Sequence, residues 1–196
     1  MFKRILLFAI AMMMVALPAF ASVTDEIKVA VDRVIKIVSD KEMKKPANEQ
    51  KRRTAIKQAI GTVFNHQEMA RRSLGRHWNS RSKEEQRQFV ELFANLLENS
   101  YAEKIESYNN EKIVYLREIV DSDYAEVKSK VVGTKNDEYT LDYKALKKDG
   151  KWMVYDVVIE GVSLVSNYRT QFNKIISANG YGELLKKLQL KNDEIQ

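Results

Sequence analysis

The chain has no cysteine, and only two histidines, two prolines and seven glycines among 196 residues. Without cysteine there can be no disulfide, thiolate metal ligand or cysteine nucleophile, so packing alone must stabilise the fold. The two histidines, His66 and His77, have no histidine or carboxylate partners at ligand spacing, which argues against a zinc site. There is no Gly-rich phosphate loop, G-x-S-x-G elbow or helix-borne metal pair. Nucleic-acid binding is disfavoured by the lack of a motif that interleaves aromatic and basic residues. One catalytic reading survives, in which Asp156 beside Tyr155 acts as a general base in an apolar cavity. Neighbours on a strand point to opposite faces, however, so the two cannot share one pocket.

Lys3 and Arg4 precede an apolar run from Ile5 to Leu17, which Pro18 breaks and Ala19-Phe20-Ala21 follows. This is the pattern of an export leader cleaved before Ser22, so residues 1–21 are predicted to be a signal peptide. The run is shorter than the roughly 20 apolar residues that span a bilayer, and no cysteine follows it to carry a lipid anchor. The mature chain is therefore expected to be soluble. Loss of Lys3 and Arg4 takes the formal charge from +6 to +4, on a surface of mixed sign. That balance suits ordinary solvation, with attraction to anionic headgroups or an acidic partner as the functional alternative. The remaining length fits one domain over 22–190, followed by a polar, frayed tail at 191–196.

Helical spacing runs through Ile27, Val31, Val34, Ile35 and Val38, behind Thr24 as an N-cap. A polar stretch from Ser39 to Gln50 separates this helix from a second, with Ile56, Ile60, Val63 and Phe64 on one face. A short helix carrying Met69 and Leu74 then stops at Gly75. Ser82 and Glu85 form a capping box at the head of a long helix. Along it, Phe89, Phe93, Leu96, Leu97, Tyr101, Ile105 and Tyr108 make one apolar stripe.

After Asn109-Asn110 the period changes to two. Four strands are predicted, at 112–120, 124–132, 139–146 and 151–160, separated by short turns that imply an antiparallel meander. Simple alternation groups Ile113, Tyr115 and Ile119 on the first strand, Tyr139, Leu141, Tyr143 and Ala145 on the third, and Trp152, Val154 and Val158 on the fourth. Small residues, Ala125, Ser129 and Ala145, are expected to face the large stripe of the long helix. They either leave room for a ligand or simply receive its bulky side chains. A helix over 163–178 closes at Asn179-Gly180, and a short one with Leu184, Leu185 and Leu188 ends the fold.

The segment Lys151–Phe172, KWMVYDVVIEGVSLVSNYRTQF, resembles the signature of the MlaC-type family, also called toluene-tolerance auxiliary proteins. Ser73-Leu74-Gly75 with Trp78, Glu85-Gln86-Arg87-Gln88-Phe89 and the helix through Tyr101 resemble the family's central block in order and spacing. The likeness covers nearly the whole chain. One departure is Asn65-His66, where many members carry an aspartate and an aromatic residue.

The resemblance implies an α+β fold with helices packed on a curved antiparallel sheet of about four strands, as in an NTF2-like cone, and an apolar lipid pocket between the two. It implies a monomeric periplasmic phospholipid carrier, with no catalytic residues, metal or cofactor. Its expected partners are an outer-membrane lipoprotein complex and an inner-membrane ABC transporter with a ring of lipid-binding domains. Chosen by face and by nearness to the signature, the expected lining is Phe93, Leu97, Tyr101, Val127, Leu141, Tyr143, Val157, Val162, Leu164, Val165 and Tyr168. Arg169 is placed either on the lipid phosphate or in a structural ion pair. A chaperone for apolar protein segments and a carrier of hopanoid or other isoprenoid lipids are the alternatives.

Overall fold

A computed structural model of the chain describes residues 21–134 and 137–193, so the predicted leader, apart from Ala21, lies outside the described residues. Helix α1 (Val23–Ser39) is opened by Ser22, whose hydroxyl accepts from the Asp25 amide while the Asp25 carboxylate accepts from the Ser22 amide. Thr24, predicted as the cap, instead lies inside the helix. Its amide and hydroxyl donate to the Glu118 carboxylate at 2.8 and 2.6 Å, tying the head of α1 to the sheet.

A 3-10 turn at Pro46–Asn48 leads to α2 (Glu49–Gly61) and then α3 (His66–Leu74), capped by the Asn65 side chain and ended by Gly75 at a φ of 53°. The predicted Ser82–Glu85 box opens α4 (Lys83–Glu106). Five antiparallel strands follow in sheet order: β1 (Lys112–Asp121), β2 (Tyr124–Val132), β3 (Glu138–Lys148), β4 (Lys151–Ile159) and β5 (Val162–Ser163). The fifth, absent from the four-strand expectation, is a two-residue return. Glu160 and Gly161, with φ of 50° and 78°, turn the chain so that Val162 pairs with Ile159. Helices α5 (Leu164–Asn179) and α6 (Tyr181–Asp193) complete the chain. The last helix runs past Lys191, where fraying is predicted, because Asn192 is buried and donates to the Leu92 carbonyl at 3.0 Å.

Two register shifts decide which side chains face the helices. In β1 the shift falls between Tyr115 and Arg117, so Glu118, and not Ile119, shares a face with Val127. In β3–β4, Lys144 pairs with Asp156 but Ala145 pairs with Val154. The extra residue turns Val157 and Ile159 to the side of Trp152 and Val154, where simple alternation puts Val158.

The buried apolar residues form two clusters. One is helical and joins α3, α4, α5 and α6 through Met69, Leu74, Phe89, Phe93, Val165, Phe172 and Leu184. Within it Phe93 meets Phe172 and Tyr168 edge-on at centroid distances of 5.4 and 5.2 Å. The other joins α1 to the inner face of the sheet through Val23, Ile27, Ala30, Ala125, Val127, Tyr143, Ala145 and Val154. The small residues Ala125 and Ala145 therefore receive α1, not the long helix. Phe64 packs against both clusters, and beside it Val154 donates to the Val63 carbonyl (2.7 Å) while Asn65 donates to the Val154 carbonyl (2.8 Å).

Candidate functional site

Against the two clusters pack apolar side chains that are only half covered, and among the described residues Phe64 packs against both. Each layer contributes some: Val31 from α1, Phe64 after α2, Tyr115, Leu141 and Ile159 from the sheet, and Leu164 and Tyr168 from α5. The stripe of α4 divides in the same way. Phe89 to Leu97 are sealed in the helical cluster, whereas Tyr101, Ile105 and Tyr108 are half-buried. These half-buried apolar side chains of sheet and helices make up the protein's apolar seam.

Tyr115 and Tyr143 put hydroxyls on the seam's sheet side. Burial raises the Tyr115 pKa to about 12, with the Asp32 charge adding to it, and burial drives Tyr143 up as well. The Tyr115 hydroxyl is shielded from solvent and has no hydrogen-bond partner among the described residues. Ser129, also on the inner face, donates to the Leu141 carbonyl. Both tyrosines are neutral near pH 7.

The predicted lining residues divide among three environments. Tyr101, Leu141, Leu164 and Tyr168 are half-buried along the seam. Phe93, Leu97 and Val165 lie inside the helical cluster, and Val127, Tyr143 and Val157 inside the sheet cluster, so these six back the seam from either side. Val162 does not join them: it is 57% exposed at the outer return of β5. Residues that the sequence reading did not select, Phe64, Tyr115 and Ile159, fall on the seam. Tyr115 was legible from its strand face, but Ile159 needed the β4 shift and Phe64 needed its position between clusters.

Two open clefts flank this arrangement. One, of about 490 Å³, lies between α2 and α4, with Ile56, Ile60, Ala102 and Ile105 below a polar rim. Ion pairs bridge the two helices there: Lys57 to Glu98 at 2.8 Å and Arg52 to Glu106 at 3.1 Å. The other cleft, of about 420 Å³, is bounded by α3, the strand β4 and the first turns of α5, and contains Val165 and Arg169.

Asp156 borders the second cleft, where Ser163 donates to its carboxylate at 2.6 Å and the Val165 amide at 3.0 Å. It is thereby committed to joining β4 and α5. His77 contacts the Asn173 side chain at 3.0 Å, and His66 begins α3. Among the described residues no group of three or more histidine, aspartate or glutamate side chains is placed to hold a metal ion, and no helix is long and apolar enough to cross a membrane.

Comparison with known proteins gives one consistent result. Residues 28–190 match the family described as "MlaC protein". The chain is 26% identical over 142 residues to the intermembrane phospholipid transport system binding protein MlaC of Haemophilus influenzae, an alignment covering 70% of this chain and 66% of that one. It is 27% identical over 128 residues to the toluene tolerance protein ttg2D of Pseudomonas putida, covering 64% and 60% respectively. The chain thus spans about two thirds or less of these relatives' lengths. A solved phospholipid-binding protein from Ralstonia solanacearum, in complex with a phospholipid, superimposes with a TM-score of 0.80 and 28% identity, covering 89% of this chain and 99% of that one.

Proposed function

The chain belongs to the MlaC family, and from that premise we propose that it is a periplasmic phospholipid carrier which holds acyl chains in the seam between sheet and helices. The observation that carries this reading is the Ralstonia solanacearum protein, which shares the fold over nearly its whole length and contains a phospholipid. The half-buried apolar residues supplied by α1, α4, α5 and the sheet support it from this chain's own packing.

The energetics require an enclosed seat. At roughly 0.8 kcal/mol per buried methylene, two chains of about 15 carbons cost on the order of 24 kcal/mol to expose to water. A carrier whose lining resembles the bilayer interior makes uptake and release nearly balanced, so that loading and unloading are set by which partner it meets. The matching partners are an outer-membrane lipoprotein complex and an inner-membrane ABC transporter with a lipid-binding ring, with the carrier acting as a monomer between them. No catalytic step is assigned, since the carboxylate best suited to one, Asp156, is engaged by Ser163 and Val165.

Organic extraction of the protein purified from its native compartment, followed by mass spectrometry, tests the reading. Stoichiometric phospholipid is expected. A lipid-free protein that captures unfolded outer-membrane proteins would make it a chaperone, and a hopanoid or isoprenoid in the extract would change the cargo.

A further inference from the structure

The cleft beside α5 has a chemistry unlike the seam. Arg71, Arg72, Lys144 and Arg169 all line it. Three carboxylates stand near these four cations, and all are engaged: Glu68 accepts from Arg71 at 2.6 and 2.7 Å and from Arg72 at 2.7 Å, Asp156 is held by Ser163 and Val165, and Glu126, the cross-strand neighbour of Lys144, is paired with Lys128 at 2.8 Å. Lys144 and Arg169 are in no ion pair among the described residues. Among the described residues the guanidinium of Arg169 has one hydrogen bond, a long one of 3.5 Å to the Ser166 hydroxyl. The cleft therefore keeps an excess of positive charge that the protein does not neutralise.

Its donors are also positioned before any ligand arrives. The Arg72 guanidinium lies 3.9 Å from the centre of the Tyr155 ring and is fixed from the other side by Glu68. The stem of Arg169 passes over Gly75, where an added Cβ would come within 3.2 Å of its Cδ, so the glycine gives the side chain its bed. The first free amides of α5 are already taken by Asp156 and Ser163, which leaves the cations, not the helix end, to carry the site.

We propose that this cleft binds a phosphoryl group. Planar guanidinium forks match the oxygens of a phosphate ester in paired hydrogen bonds, and the charge excess suits a monoanion or dianion. On α5 the cleft and the seam draw on neighbouring stripes: Val165 and Arg169, four apart, line the cleft, and Leu164 and Tyr168, also four apart, are half-buried on the seam. A phosphate here would lie beside the stripe of α5 that borders the acyl seat. For a lipid headgroup the inference rests on the carrier reading above; for a soluble phosphate ester it does not.

The test compares the full mature chain with the double variant Arg169→Met, Lys144→Met, which keeps both aliphatic stems, after circular dichroism shows equal folding. The probes are inorganic phosphate, dihexanoyl phosphatidylglycerol and uncharged dihexanoylglycerol. The expected result is about tenfold weaker phosphatidylglycerol binding by the variant with dihexanoylglycerol unchanged, and competition by phosphate in the wild type; this identifies a headgroup site. Loss of phosphate binding alone, with both lipids unaffected, identifies a site for soluble phosphoryl groups. Loss of phosphate binding in a protein that takes up neither lipid keeps the site and removes the carrier reading. Equal binding of phosphate and phosphatidylglycerol by both proteins overturns the proposal.

Discussion

The carboxylate of Asp156 accepts the Ser163 hydroxyl at 2.6 Å. Since Ser163 is also the N-cap of α5, this one contact joins the end of the sheet to the start of the helix that borders both the seam and the cationic cleft. Asp156→Ala removes a buried acceptor and leaves the Val165 amide unpaired, so it should lower unfolding free energy by about 3 kcal/mol, whereas Asp156→Asn should cost less. Urea denaturation measures both, and equal stability of the alanine variant and the wild type would contradict this account.

The Tyr115 hydroxyl is buried without a partner. Tyr115→Phe deletes that group and keeps the ring, so the ligand-free protein should gain about 1 kcal/mol in stability. A loss of stability in the same denaturation measurement would mean that the hydroxyl is satisfied in solution.

Burial holds the His66 pKa below the usual imidazole value; Glu98 opposes the shift and Lys57 adds to it. The unfolded chain therefore takes up this proton first. The contribution of neutral His66 is fully present above about pH 6.5 and is lost as pH falls through the window beneath it. Thermal melts from pH 7.5 to 5.5 should show a smaller decline for His66→Phe than for the wild type, and parallel declines would remove His66 as the cause.

A charge on the seam separates folding from cargo binding, provided it is put at the right residue. Val165 is sealed in the helical cluster, so a charge there would disrupt packing and report on folding. Leu164, one residue earlier, is only half-buried against the sheet cluster. Leu164→Asp should keep the wild-type circular-dichroism spectrum while co-purifying phospholipid falls at least about tenfold; unchanged lipid content would exclude Leu164 from the seat.

The sequence was most informative where a local signal is sufficient. The Ser82–Glu85 box and the Gly75 and Gly180 stops all lie where pattern places them. The Ser22–Asp25 box was missed although its chemistry is the same, because it abuts the predicted cleavage point and uses the shorter acid. The sheet faces failed for a different reason. One extra residue in β1 and one in β4 reverse the alternation beyond them, and nothing in composition marks either place. Four of the eleven expected lining residues, Tyr101, Leu141, Leu164 and Tyr168, are half-buried on the seam. Val162 stands on a two-residue strand too short to produce a period, so its exposure has no signal in the sequence. Of the cationic cleft the sequence pointed to Arg169 alone, because Arg71 and Lys144 come from distant elements and meet it only in the folded chain.

The stretch Val63–Asn65, bonded on both sides to Val154, ties the helical cluster to the sheet cluster, as Asp156 does through Ser163 and Val165. Asn65→Pro would remove the donor to the Val154 carbonyl and leave the second tie to hold that join alone.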